Sequence, residues 1–407
     1  MTSNEELRLQ AEHTSMRNYR PAPMVLTRGE GRHVWDVEGT RFLDLTGGIA
    51  VLSVGHAHPR LARDIAKQSA RLVHTSNLFY NDRAIELSRR IVAKTGFSRV
   101  YFGNSGTEAN EALMKLSRRW HWERGHQERV EFVATHRSFH GRSMGALSVT
   151  GQSKYHLGME PLLPGVRFVE YDDIEAMRQV VGERTAAVIV EPIQAEGGVR
   201  VPENAYLVAL RQLCDERGAL LMFDEVQTGY GRTGRFLCRE HSGVMPDACS
   251  LAKGIAGGFP LSAMAVTLKV EGGLPPGSHA STFGGNPLAC AAGLAVLDIF
   301  EEEDLVERSE VQGRYLGQHL NRLVDKSDVF VDARGRGLLR GLELADGIDP
   351  AGMIAALRKR RVLLTLAGGN VLRFVPALNV TREELDEGLA AIEDILLDPP
   401  LLQGTSS

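Results

Sequence analysis

Cysteine is scarce. The chain has four among 407 residues, Cys214, Cys238, Cys249 and Cys290, and none forms a C-x-x-C pair. That excludes a disulfide scaffold and a structural zinc knuckle, and it suits a reducing, cytoplasmic setting. An excess of charge is missing too. Lys and Arg number 47 against 51 Asp and Glu, a formal net charge of −4. Such a chain has no basic field to grip a phosphate backbone, so no nucleic-acid partner is expected. No apolar run is long enough to span a bilayer, so no membrane partner is expected. The first residues, MTSNEELRLQAEH, have neither a basic n-region nor an apolar h-region, and no secretory signal is expected. What is present is an ordinary globular balance, with 43% hydrophobic and 24% charged residues. The length suggests two domains, or one large domain with an appendage. Glycine is abundant at 43 residues, above the average usage of about 7%, which suits many close approaches of backbone to a ligand.

Apolar runs alternate with amphipathic stretches from Val100 onward. Val100 to Phe102, Glu131 to Ala134, Ala186 to Val190 and Ala219 to Phe223 read as strands, the continuous runs as strands covered on both faces. Glu108 to Trp120 reads as a helix with Ala109, Ala112, Leu113, Leu116 and Trp120 on one face. Tyr206 to Arg217 reads as another, stopped by Gly218. The alternation predicts an α/β domain with a mostly parallel sheet. Near Phe300 a long charged helix begins, and Thr381-x-x-Glu384 caps a last one. The expected division is an N-terminal arm (1–50) belonging to a small α+β domain, a large domain (51–300), and the rest of the small domain (301–407).

Polar motifs fall at the strand ends, where ligands sit in such sheets. Gly103-Asn104-Ser105-Gly106-Thr107-Glu108 joins a strand to a helix, and its backbone N–H groups and hydroxyls suit an anion. The same residues also read as a plain capping box, Ser105-x-x-Glu108. Asp224-Glu225 follows the run ALLMF; a lone strand-end carboxylate is otherwise a solvated one. Lys253 sits among apolar and small residues, where desolvation lowers an amine's pKa and makes it a nucleophile. Its plain alternative is a surface lysine with a snorkelling stem. Phe139-His140-Gly141-Arg142 offers an aromatic to a planar ring, or ordinary packing, and Ser281 to Pro287 is a small hydroxyl-bearing loop. One ligand satisfies them together: planar, aldehyde-bearing, phosphorylated, with a basic ring nitrogen. Pyridoxal phosphate fits that description.

The stretches GGIAVLSVGHAHP, GNSGTEANEA, FHGRS, EPIQAEGGV, FDEVQTGYGRTG, LAKGIAGGFP, STFGGNPLA, ARGRGLL and NVLRFVPAL carry a resemblance. From about Pro21 to Leu397 the chain resembles the class III (ω-amino acid) aminotransferases of the fold-type I pyridoxal phosphate enzymes, most of all the acetylornithine aminotransferase subgroup. The resemblance implies a large, mostly parallel domain with a smaller α+β domain. It implies transfer of the distal amino group of an N-acylated diamino acid, N-acetylornithine, to 2-oxoglutarate, as in arginine biosynthesis. It implies that Lys253 bonds the cofactor aldehyde, that Asp224 pairs with the ring nitrogen and that Gln227 lies near the phenolic oxygen. Phe139 would stack on the ring, and Ser105, Gly106 and Thr107 would hold the phosphate. Thr282 would reach that phosphate from the other subunit of a homodimer. Arg142 and Arg373 would contact substrate carboxylates, with Glu196 neutralising Arg373 when no α-carboxylate is bound. Ala195 and Ala280 stand where the family usually has glycine, and Ile49 where ornithine δ-aminotransferases usually carry tyrosine. 4-Aminobutyrate, succinylornithine and other ω-amines are the alternative donors.

Three further classes compete. Gly229-Tyr230-Gly231-Arg232-Thr233-Gly234 is a literal G-x-G-x-x-G, but no strand runs straight into it and no helix pattern opens from it, as an NAD-dependent dehydrogenase requires. His56, His58, His136 and His140 suggest a metal hydrolase, but no spacing collects a third ligand, so they read as isolated loop histidines and no metal is expected. A non-catalytic relative would have lost Lys253 or Asp224, and both are present.

Overall fold

Continuous apolar runs become central strands because both of their faces are covered. In the computed structural model, which describes residues 3–397, strands Thr185–Val190, Leu220–Asp224, Ala248–Leu251 and Ser262–Val266 are buried at every position. Residues 398–407, assigned above to the small domain, and 1–2 of the arm lie outside the described residues. The four strands join three others in a seven-stranded sheet ordered 99–103, 262–266, 248–251, 220–224, 185–190, 131–135, 166–169. Ser262–Val266 runs antiparallel to both neighbours. The remaining pairings are parallel, as the alternation of strands and helices predicts.

Helix Gly106–Trp122 buries Ala109, Ala112, Leu113 and Leu116 together. It starts two residues earlier than its hydrophobic period indicates, because Ser105 is its N-cap. Helix Asn204–Arg217 stops where Gly218 turns left-handed at φ 67°. The single long helix expected near Phe300 is in fact two. Pro287–Glu302 is almost wholly buried, Leu305–Lys326 carries the charge, and Asp304 breaks them apart at φ 50°.

Two smaller sheets adjoin. Strands 26–30, 33–36 and 41–44 form an antiparallel run, and Arg41–Asp44 also pairs in parallel with Val362–Leu363. A four-stranded antiparallel sheet is ordered 330–336, 339–344, 371–374, 365–367. The buried Arg232 binds it to the turns after Asp224, donating to the carbonyls of Leu338 (3.1 Å) and Pro376 (2.6 Å). No helix among the described residues is long and apolar enough to cross a membrane.

Candidate active site

The carboxyl ends of the parallel strands converge on one cavity of about 400 Å³. Asp224 is the last residue of its strand, and Lys253 follows the next strand by two residues. Phe139 and Arg142 come from the loop after Glu131–Thr135, and Ser105, Gly106 and Thr107 from the turn after Arg99–Gly103. All of these line the cavity with Gln227. Glu196 and Arg373 join it through Gln227. Arg373 Nη1 lies 2.5 Å from Glu196 Oε1 and 3.2 Å from Gln227 Oε1, and Gln227 Nε2 donates to Glu196 Oε1 at 3.2 Å. Thr282 is the exception. It is exposed and lies outside the cavity of its own chain.

Asp224 is held as a carboxylate. Burial alone would raise its pKa, but the His140 bond and charge and the donors Val226 N–H and Asn110 pull it below the ordinary range. Oδ2 accepts from His140 Nδ1 and Asn110 Nδ2, each at 2.7 Å. Oδ1 accepts from Val226 N at 3.0 Å and Ser250 Oγ at 3.3 Å. Burial opposes protonation of His140, yet the bond to Asp224 and the charges of Asp224 and Glu191 raise its pKa. Burial pushes Glu191 up to about 7; its carboxyl accepts from the Phe139 N–H (2.9 Å) and the Ala195 N–H (3.1 Å).

Lys253 follows the buried Ala252 and adopts a left-handed φ of 47°. A lysine there is strained, which suits an enforced position. Burial first, then the nearby Arg373 charge, bring its pKa down to about 8; Glu196, Asp224 and Glu191 act against that. Burial would raise the pKa of Glu196, but the charges of Arg373 and Lys253 hold it low. Arg142 is exposed and has no acid partner among the described residues; its guanidinium lies 3.8 Å over the Tyr155 ring and 5.7 Å over Phe139.

Ser105 both caps its helix, accepting from Glu108 N at 3.4 Å, and lines the cavity, so its two sequence readings coexist. His140 is not the isolated loop histidine read from sequence: it is buried and bonded to Asp224. His56 pairs with Asp44 and His58 with Glu303, and no metal-binding group of three or more His, Cys, Asp or Glu exists among the described residues. Asn110 and Glu191 escaped the sequence reading, though both carry a signal. Asn110 is a polar residue on the buried helix face, and Glu191 follows its apolar strand as Asp224 follows its own. The glycines of 229–234 lie in turns with no helix opening from them, unlike a dinucleotide-binding loop.

A mostly parallel sheet that brings a buried lysine, a buried carboxylate and a helix N-terminus to one cavity is the arrangement of an α/β enzyme. The class-III aminotransferase family model matches residues 14–396, and the chain belongs to that family: it is an aminotransferase. An acetylornithine aminotransferase of Caldanaerobacter subterraneus subsp. tengcongensis is 44% identical over 94% of this chain and 96% of its own. A succinylornithine transaminase/acetylornithine aminotransferase of Pseudomonas aeruginosa is 41% identical over 92% and 93%. The ornithine aminotransferase structure from Toxoplasma gondii superposes with a TM-score of 0.94 at 34% identity, covering 98% of this chain and 96% of that one. Relatives named for different donors share the fold, so the fold by itself does not choose the donor.

Proposed function

We propose that the chain moves the distal amino group of N-acetylornithine to 2-oxoglutarate with pyridoxal 5′-phosphate as cofactor, giving the semialdehyde and glutamate in the cytoplasm, as in arginine biosynthesis. The observation that carries the reading is the pair of the buried Arg373 with the part-buried Glu196 beside Lys253, with Arg142 at the cavity unpaired among the described residues. Such a donor brings no carboxylate to its reacting end, whereas 2-oxoglutarate has one next to its carbonyl. An unpaired buried arginine would be costly with the donor. Glu196 neutralises Arg373 then, and releases it to the α-carboxylate of the acceptor. Arg142 takes the donor's far carboxylate, for which a planar guanidinium fork is suited.

The cofactor reading rests on the fit of this chain's residues. Asp224, a carboxylate deep in the site, suits a basic ring nitrogen. The helix start at Ser105, Gly106 and Thr107 suits a phosphate. A Cβ on Gly106 would lie 2.7 Å from Val226 Cγ1, so any larger residue there would force Val226 to shift. Phe139 suits a ring face and Gln227 a phenolic oxygen. When bound, pyridoxal phosphate supplies an aldehyde that takes up the amine and a protonated ring that draws electrons from the carbon losing its proton. Lys253 Nζ, with its lowered pKa, takes and returns a proton near neutral pH. His140 and Asn110 position Asp224, and Glu191 fixes the Phe139 backbone.

The working unit is a homodimer with shared sites. Leu72, Val73, Leu78, Phe79, Tyr80 and Phe283 form an exposed apolar stretch bound to the Thr282 loop through Asn77, which donates to the carbonyls of Ser281 and Gly284. A patch of this kind suits a second copy, and it would present Thr282 to the partner's phosphate site. We assign residues 51–300 to the large domain and, among the described residues, 3–50 and 301–397 to the small one. N-succinylornithine is the second donor, favoured by the name of the Pseudomonas relative. A half-reaction screen tests the reading. Loaded enzyme is mixed with acetylornithine, succinylornithine, 4-aminobutyrate, putrescine and ornithine, and the cofactor absorbance is followed. Fastest conversion by acetylornithine is expected; fastest conversion by 4-aminobutyrate or free ornithine would overturn it.

A further inference from the structure

The loop that carries Glu196 has two faces. Its base is closed by Gln194 N to Arg200 O and Arg200 N to Gln194 O, both 3.0 Å. Glu196 turns its carboxylate to Arg373, while Gly197 and Gly198 wall a separate cavity of about 310 Å³. Arg137, Arg200 and Arg334 converge on that cavity. Arg334 is occupied: Nε and Nη2 donate to Gly198 O at 3.0 and 2.8 Å, and Nη1 pairs with Asp332 and Glu343. The side chains of Arg137 and Arg200 make no hydrogen bond or ion pair among the described residues. Burial and then the charges of Arg137 and Arg334 lower the pKa of Arg200, against the charges of Glu170 and Glu343; Glu343 also lines the cavity, where its carboxylate is paired with Arg334. The backbone is nonetheless held to this arrangement. Arg137 has φ 65° and Val199, a β-branched residue, φ 52°. A Cβ on Gly197 would lie 2.5 Å from Arg137 O, so loop and arginine pack as one unit.

We infer that this cavity binds a compact dianion, phosphate or a short dicarboxylate, between Arg137 and Arg200, apart from the substrate site. Two unpaired guanidinium forks at one polar cavity match paired oxyanions, and the ligand removes their mutual repulsion. Occupancy also stiffens the turn beyond Glu196 and so hinders its release of Arg373. That consequence rests on the proposed function; the binding itself does not. Cofactor-loaded enzyme is titrated by calorimetry with inorganic phosphate and, separately, with malonate, at fixed ionic strength. Wild type, Arg137→Gln, Arg200→Gln and Arg142→Ala are compared. The expected result is one saturable site per chain for at least one anion, weakened about tenfold or more by either glutamine variant and kept in Arg142→Ala. Which anion saturates identifies the source. Binding that survives both glutamine variants, or no saturable binding of either anion, would overturn the site. Arg137 is exposed, so Arg137→Gln keeps the test open if Arg200→Gln does not fold. A saturating anion should also slow the 2-oxoglutarate half-reaction in wild type but not in Arg137→Gln. Binding without that slowing would overturn the link through Glu196 and leave the site standing.

Discussion

Lys253 has a pKa near 8 because its ammonium has lost water and faces Arg373. The lowered value leaves the amine neutral above about pH 8, whereas an ordinary lysine needs a pH above roughly 10.4. Cofactor-free enzyme should therefore capture added pyridoxal phosphate covalently at a rate that rises with pH and levels off just above 8. Borohydride trapping over a pH series measures it; a rise continuing to pH 10 would show an ordinary lysine. Lys253→Ala should hold cofactor only non-covalently and lose turnover. How legible each residue was depends on what its neighbours are. Lys253 and Asp224 stand out beside apolar runs, where a charge has no solubility role. His140 did not stand out, because its partner is 84 residues away in sequence and only the fold brings them to 2.7 Å.

Whole elements were legible where burial is two-sided. The runs AAVIV and ALLMF name their strands because a central strand is apolar throughout. The pairing of Arg41–Asp44 with Val362–Leu363 was not, since a two-residue strand has no period to read. Nor was the helix break at Asp304, which no glycine or proline marks. The strand end at Glu225 permits a stability test. Burial pushes its carboxyl to about 7, while the N–H groups of Cys238 and Arg239 donate to it at 2.6 and 2.9 Å. A folded pKa above the unfolded value means the stabilising contribution is complete below about pH 4.3 and lost as pH rises through 7. Relative to Glu225→Gln, whose amide oxygen can still accept, wild type should lose about 3 kcal/mol between those limits. Urea unfolding of both proteins across that range checks it. A constant difference would mean that Glu225 stays ionised.

At the scale of the whole molecule, Thr282 and much of the apolar stretch from Leu72 to Tyr80 are exposed on one chain, with Asn77 tying the two together. A shared site predicts complementation. A mixed dimer of Lys253→Ala and Thr282→Ala chains carries both lesions in one site and neither in the other. It should be more active than either parent dimer. Mixed dimers that form without any recovery would place Thr282 outside the site. The central claim is that one cavity serves two unlike substrates by exchanging the partner of Arg373. Stopped-flow rates of the two half-reactions in Arg373→Ala test it most directly. Losing one member of a hydrogen-bonded charge pair costs about 2–5 kcal/mol, on the order of 30- to several-thousand-fold in rate. That loss is expected in the 2-oxoglutarate half-reaction, with a far smaller one for acetylornithine. Equal losses in both halves would contradict it and make Arg373 a structural residue.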